Sequence, residues 1–235
     1  RYRDKVETWA ILAHENIVLL LGTTDGFGPY TALVFPWFPD GTLLRLIADQ
    51  GARLNIRSRL NLLHGIASGL EYLHRSGIIH GDITSSNILV DFKEGEYQAC
   101  LTDIGLATVL GGRLGNRMIE GSNVRSGAIR WIAPDLLTAG GSPTMQNDMY
   151  SFGRVMFHVS LKFASPYPLC DVITYVQAFA LVIPWHDVHY DFSVLQRILN
   201  GDVISRPVTP DATDITDARW NEIEKCWSAA GSRPS

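Results

Sequence analysis

The strongest constraint on the fold is a polar segment that contains Asp82 and Asn87 and is followed, sixteen residues after Asn87, by Asp103. Residues 57–75, just before this segment, carry leucine and isoleucine at helical spacing. Two short apolar runs around a charged turn follow it, which predicts a hairpin. Aspartate and asparagine also favour simple turns, so each residue alone would fit one. Their combination in this order and setting favours a functional site.

Strand patterns are concentrated early in the chain and helical patterns late. The apolar spacing predicts a helix within residues 1–13 and a hairpin from residues 17–21 and 30–35. A second hairpin is predicted from residues 88–90 and 99–102, and a long loop over residues 105–130. The other predicted helices are residues 42–48, 57–75, 145–158, 192–200 and 216–228. This distribution predicts an α+β fold with a small sheet region and a larger helical region.

Composition excludes several classes of protein. Twenty lysines and arginines against 24 aspartates and glutamates give a net charge of −4, so nucleic acid is not a predicted partner. The three cysteines lie far apart, which argues against a disulfide framework or zinc site and favours the reducing cytoplasm. The uncharged run over residues 172–185 contains a proline and is short for a membrane span, so no membrane partner is predicted.

The polar segment resembles the catalytic loop of protein kinases, H-R-D-L-x-x-x-x-N. In this chain it reads His80-Gly81-Asp82-Ile83-Thr84-Ser85-Ser86-Asn87, and Asp103-Ile104-Gly105 resembles the metal-binding D-F-G. Further kinase-like segments are residues 14–22, 33–43, 133–135, 148–153 and 226–235. The resemblance implies a protein-kinase-like α+β fold, with a partial N-lobe (helix plus hairpin, residues 1–37) and a mostly helical C-lobe (residues 38–235). It points to the tyrosine-kinase-like group, and the sequence is similar to the expanded kinases of mushroom-forming fungi.

The resemblance also implies a reaction, in which a phosphoryl group of ATP passes to a serine or threonine of a protein substrate. Asp82 would accept the proton of the substrate hydroxyl, and Asn87 and Asp103 would hold Mg²⁺. Oxygen ligands of this kind are those that Mg²⁺ prefers.

Other roles follow from the same resemblance. Backbone groups of Pro36 and Phe38 would contact the edge of adenine, and Leu89 would lie beneath its ring. The remaining implied contacts are a column of His80, Ile104, Trp9 and Leu20 resting on Asp148, and a pair between Asp135 and Arg233.

Several departures from the kinase pattern leave two functions open. Thr84 and Ser86 occupy the positions where a lysine or arginine normally stabilises the transferring phosphate, and Gly81 replaces the arginine before Asp82. Lys5 stands where a glutamate is expected, and no glycine-rich loop or strand lysine precedes it. The chain could therefore be a Ser/Thr kinase domain or a pseudokinase that serves as a scaffold for signalling partners. We expect this chain alone to bind Mg²⁺·ATP weakly and to be inactive or weakly active.

Two features concern the extent of the domain. Residues 159–177 read as an insertion, because joining residues 157–158 directly to residues 178–179 restores the usual kinase pattern. The insertion could be a surface loop or a translated retained intron. Both ends of the chain are expected to be truncated relative to a complete kinase domain.

Overall fold

The structure is a computed structural model that describes residues 2–26, 31–105, 128–137, 142–160, 184–185, 187–188, 190–207 and 215–234, with backbone alone at residues 2–5 and 52. Its helices are α1 Tyr2–Ala10, α2 Leu43–Gln50, α3 Ile56–Arg75, α4 Met145–Ser160, α5 Asp191–Leu199 and α6 Asp217–Trp227. Its strands are β1 Gly22–Thr24, β2 Ala32–Val34, β3 Ile88–Lys93 and β4 Glu96–Leu101. The strands form two antiparallel hairpins, β1–β2 and β3–β4. The predicted α+β fold, with a small sheet region and a larger helical part, is confirmed, while the boundary between residues 37 and 38 stays a prediction.

Helix α3 leads into the polar loop and has clear signals at both ends. Asn55 caps its start, because its Oδ1 accepts a hydrogen bond from Ser58 N at 2.8 Å. After its last residue, Gly77 adopts a φ of 71°, and Ile78 N donates to Leu73 O at 2.9 Å. This is a left-handed helix ending that favours glycine, and the predicted end of the helix at residue 75 is confirmed.

Two glycines let α3 pack closely against the segment that follows α1. A Cβ atom on Gly69 would lie 2.8 Å from Asn16 O, and one on Gly65 would lie 2.7 Å from Asn16 Nδ2. The segment instead fits against the helix, where Asn16 O accepts a hydrogen bond from Leu101 N at 2.8 Å. Glycine inside a helix costs about 0.5–1 kcal/mol relative to alanine. Here the two glycines allow the segment after α1 to reach the end of β4, the strand that leads to Asp103. Asn16 O and Val18 N of this segment both bond to the backbone of Leu101.

The first hairpin begins later than the sequence pattern predicts. Strand β1 starts at Gly22, where the predicted strand over residues 17–21 ends. Ile17 forms only an isolated bridge with Leu101, and Val18 N donates to Leu101 O at 2.9 Å. Ile17, Val18 and Leu20 are buried, so the apolar run reflects packing in the core and not a regular strand.

The predicted insertion begins inside a helix. Helix α4 continues to Ser160, and Val159 is fully buried in the main core. Residues 161–177 lie outside the described residues, as do residues 106–127 of the predicted long loop. Within the part of the chain that the structure describes, no helix is both long and apolar enough to cross a membrane.

Candidate active site

The start of the polar loop is held by a buried carboxylate of α4. Asp148 accepts hydrogen bonds from His80 N at 2.9 Å and from Gly81 N at 2.8 Å, and His74 Nε2 lies 2.9 Å from the same carboxylate. Asp148 is 1% exposed. Gly81 has a φ of 76°, a conformation that favours glycine. Glycine in place of the usual arginine at position 81 therefore suits the backbone conformation in which Asp148 binds both amides.

The structure brings Asp82 and Asn87 into direct contact. Asn87 Nδ2 donates to Asp82 Oδ2 and to Asp82 O, both at 2.9 Å. Asn87 N in turn donates to Thr84 O at 3.0 Å, which closes the turn between the two site residues. Asn87 is buried and Asp82 is half-buried. The amide thus orients a carboxylate that remains accessible to solvent.

The Asp103 segment is tied to both ends of the same loop. Thr102 N donates to Asn87 O at 3.0 Å, and Gly105 N donates to His80 O at 2.9 Å. Asp103 itself has a φ of 61°, which is uncommon for a residue other than glycine and is typical of functional sites. All three residues predicted to do the chemistry therefore belong to one hydrogen-bonded unit.

A fully buried imidazole lies at the centre of this unit. Burial lowers the pKa of His80, although the carboxylates of Asp148, Asp82 and Asp103 act in the opposite direction. Its Nδ1 accepts a hydrogen bond from Asp82 N at 3.3 Å, which fits a neutral ring. His80 therefore supports the loop without adding a positive charge beside the carboxylates.

Of the residues predicted to bind adenine, Pro36 and Phe38 follow β2 in the connection between the hairpins, and Leu89 lies in β3. Pro36 is exposed, while Phe38 and Leu89 are half-buried. Phe38 O accepts a hydrogen bond from Gly41 N at 3.2 Å, and Leu89 forms a bridge with Thr42. This places the segment after Phe38 against β3. A cavity of about 720 Å³ lies elsewhere, between α3 and α4, and includes none of these residues.

Two structural predictions made from the kinase resemblance are confirmed. Trp9, Leu20 and Ile104 belong to the same core cluster, and the loop at His80 rests on Asp148 as described above. The second prediction concerns Arg233, whose Nη2 lies 2.6 Å from the Oδ1 of Asp135.

Among the departures from the kinase pattern, the structure describes the side chain of Thr84 but not that of Lys5. Thr84 is buried, and its Oγ1 accepts a hydrogen bond from Asn87 N at 3.3 Å. The position of the usual cation is thus filled by a neutral side chain that serves the loop itself. Lys5 lies on α1, and its side chain is outside the described part of the chain.

Sequence reasoning missed one buried pair in the loop. Ser85 Oγ lies 2.7 Å from Nδ1 of His158, and both residues are fully buried. The two residues are 73 positions apart, and the sequence pattern that includes His158, the junction at residues 157–158, assigned it no role. Asp148 and His158 are ten residues apart on α4, about 80° apart around the helix, so helical spacing gave little indication that both contact the loop.

We expect acid to destabilise the protein through His158. Its burial, together with the nearby charge of Arg59, lowers the pKa of the imidazole from 6.5 to about 3. Below pH 6.5 the unfolded chain binds one proton more than the folded one, so the free energy of unfolding falls as pH decreases. The expected loss is about 2 kcal/mol between pH 6.5 and pH 5, measured by urea unfolding at both values. The variant His158→Asn should lose this part of the pH dependence, and an unchanged dependence in that variant would contradict the assignment.

The kinase resemblance predicted a loop that rests on Asp148 beside the Asp-Ile-Gly segment, and the structure has both features. Residues 2–182 match the family described as protein tyrosine and serine/threonine kinase, and the chain belongs to this family. Protein kinases as a family depend on ATP and Mg²⁺ and act on protein substrates.

Three relatives illustrate the similarity. The chain is 34% identical to serine/threonine-protein kinase CTR1 of Arabidopsis thaliana over 153 residues, covering 63% of this chain and 17% of that protein. It is 29% identical to "Probable serine/threonine-protein kinase drkD" of Dictyostelium discoideum over 242 residues, covering 99% and 18%. It is 30% identical to "Probable inactive leucine-rich repeat receptor kinase XIAO" of Oryza sativa subsp. japonica over 167 residues, covering 67% and 14%. The chain thus spans less than a fifth of the length of these relatives.

Proposed function

We propose that this kinase domain transfers a phosphoryl group from ATP to serine or threonine hydroxyls of protein substrates. The observation that carries the proposal is the pair of hydrogen bonds from Asn87 Nδ2 to Asp82. They hold the carboxylate of Asp82 in one orientation, as a group that accepts the proton of a substrate hydroxyl must be held. Asp82 is the proposed proton acceptor: it takes the hydroxyl proton as the substrate oxygen bonds to the γ-phosphorus and the bond to the departing ADP breaks.

The residues fit a magnesium ion that is held together with a nucleotide. Both hydrogen bonds of the Asn87 amide to Asp82 use Nδ2, so Oδ1 is the atom of this side chain that would bind a cation. Asp103 would add a carboxylate ligand. Among the residues that the structure describes, no group of three or more histidines, cysteines, aspartates or glutamates forms a metal cage. This suits Mg²⁺, which commonly takes one or two protein ligands together with phosphates and water, and which neutralises phosphate charge when bound.

The remaining roles complete the proposal. Pro36 O and the backbone of Phe38 would bind the edge of adenine, and Leu89 would pack beneath it. Pro36 has no N–H, so its backbone can only accept a hydrogen bond.

A net charge of −4 supports protein partners rather than nucleic acid. Cys100 and Cys226 are free and buried, which supports the proposed cytoplasmic location. Membership of the tyrosine-kinase-like group and similarity to fungal kinases remain predictions.

The second candidate is a pseudokinase that binds partners without turnover. Buried Thr84 favours it, because its side chain bonds within the loop at the position where a cation normally contacts the transferring phosphate. The relative XIAO is named as a probable inactive receptor kinase, which is compatible with this alternative in the same family.

The two candidates are separated by an assay of Mg²⁺-dependent phosphate transfer from ATP to casein by the full-length protein. We expect Asp103→Asn to lower this transfer by about 100-fold or more, because a metal ligand is lost. The matched control is Asp91→Asn on β3, a half-buried carboxylate that pairs with Lys93 and should leave transfer within about twofold. Transfer that survives in Asp103→Asn would contradict the proposed metal site. Nucleotide binding without any transfer by the wild type would favour the pseudokinase, and gain of transfer in Thr84→Lys would then identify the missing cation as the cause.

A further inference from the structure

Helix α4 contacts the catalytic loop on both sides of Asp82. Upstream, the carboxylate of Asp148 holds the amides of His80 and Gly81. Downstream, Nδ1 of His158 lies 2.7 Å from the hydroxyl of Ser85. The two contacts are ten residues apart on α4, which corresponds to about 15 Å along the helix.

Ser85 also links the loop to the segment that follows the predicted adenine-binding residues. Its carbonyl accepts a hydrogen bond from Leu44 N at 2.9 Å, at the start of α2. Ser85 and His158 are each 0% exposed. Since a buried hydroxyl without a partner is strongly unfavourable, the bond to His158 restricts where Ser85 can lie.

We propose that the Ser85–His158 hydrogen bond is a second anchor of the catalytic loop, with His158 as a positioning residue for Asn87 and Asp82. The inference builds on the proposed function, but its structural part can be tested without catalysis. Ser85 lies inside the turn that Asn87 N closes onto Thr84 O. Movement of Ser85 therefore displaces Asn87, whose amide orients Asp82.

The surroundings of His158 keep this anchor constant near neutral pH. Arg59 is buried beside it, and the guanidinium donates to carbonyl oxygens of Leu54, Gly51 and Val159. The charge of Arg59 and the burial of the ring keep the pKa of His158 far below neutrality. The imidazole therefore stays neutral, and the anchor should not respond to pH between about 6 and 8.

The test uses hydrogen exchange of backbone amides in the full-length protein. In Ser85→Ala we expect the amides of Asn87 and Leu44 to exchange about tenfold faster. The amides of His80 and Gly81 should keep their protection, since Asp148 still holds them. The matched control is Ser151→Ala on α4, which loses a buried hydrogen bond from Ser151 Oγ to Trp131 O of 2.8 Å but does not touch the loop. It should leave the Asn87 amide within about twofold of wild type.

A conservative variant separates positioning from simple packing. In His158→Asn the side-chain amide can occupy the place of Nδ1 and bond Ser85, so exchange at Asn87 should stay within about threefold of wild type, whereas His158→Leu should match Ser85→Ala. Equal exchange at Asn87 in Ser85→Ala and Ser151→Ala would overturn the anchor.

A kinetic comparison then links the anchor to the reaction. Ser85→Ala should lower kcat about tenfold with little change in KM for ATP, whereas Ser151→Ala should change neither. An unchanged kcat in Ser85→Ala would overturn the positioning role. If the wild type transfers no phosphate, the proposed function fails, and the exchange pattern still decides whether the anchor exists.

Discussion

Replacing Asp82 by asparagine is expected to lower kcat for phosphoryl transfer by about 10²–10⁴-fold, the range that general base catalysis contributes. Asparagine has nearly the same shape, and its side-chain oxygen can still accept the hydrogen bond from Asn87 Nδ2. It cannot take up the proton of a substrate hydroxyl at neutral pH. The loss should therefore fall on kcat, while KM for ATP and the melting temperature change little. Steady-state kinetics and thermal unfolding of the full-length protein check both parts.

The control for this prediction is Asp49→Asn. Asp49 is an exposed residue of α2 that pairs with Arg45 at 3.3 Å, so the variant also removes one negative charge but lies outside the catalytic loop. We expect its kcat to stay within about twofold of wild type. A kcat for Asp82→Asn within about threefold of wild type would show that another group accepts the proton.

Replacing Arg233 by alanine is expected to lower the free energy of unfolding by about 3–5 kcal/mol. Arg233 is 7% exposed, and its Nη2 and Nη1 donate to the two oxygens of Asp135 at 2.6 and 3.2 Å. Burial works against ionisation of Asp135, but its hydrogen bonds with Arg233 outweigh this and lower its pKa. Removing the guanidinium leaves that carboxylate partly buried without its main partner. Thermal unfolding should show a decrease of about 10 °C.

A double variant tests whether the pair itself is responsible. Arg233→Met combined with Asp135→Leu removes both charges and fills similar volume, and we expect it to regain at least half of the loss of the single variant. Arg233→Met alone should remain as unstable as Arg233→Ala. A melting temperature of Arg233→Ala within about 2 °C of wild type would contradict the importance of this contact.

Much of the site could be predicted because it is encoded by nearby residues. The turn from Thr84 to Asn87 and the hairpin that starts at Ile88 depend on local preferences for turns and strands. The hairpin register, in which Ile88 pairs with Leu101, then brings the end of β4 back to Asn87. These elements place Asp82, Asn87 and Asp103 together, so their match to the protein-kinase motif was sufficient to identify them as candidates.

The hydrophobic pattern was less informative for residues 17–21, which it predicted as a strand although the strand begins only after them. Residues 17–21 alternate too little to separate a strand from a packed segment. In the structure only Ile17, Val18 and Leu20 of this run are buried, just after Asn16, which lies close against Gly65 and Gly69 of α3. Strand β1 begins only at Gly22. Gly65 and Gly69 lie within an ordinary helical pattern, and that pattern does not predict which segment of the chain packs against them.

Contacts between distant helices and loops could be decided only by tertiary packing. His158 and Ser85 are separated by 73 residues, and their hydrogen bond exists because α4 crosses beneath the loop with Asp148 and His158 on the side that faces it. Helical periodicity indicates which residues of α4 share a face, but it does not tell which loop that face will meet. Turns and hairpins depend on neighbours along the chain and are readable from it. The anchoring of the catalytic loop depends on how α4 docks in the core, which is determined by the packing of the whole domain.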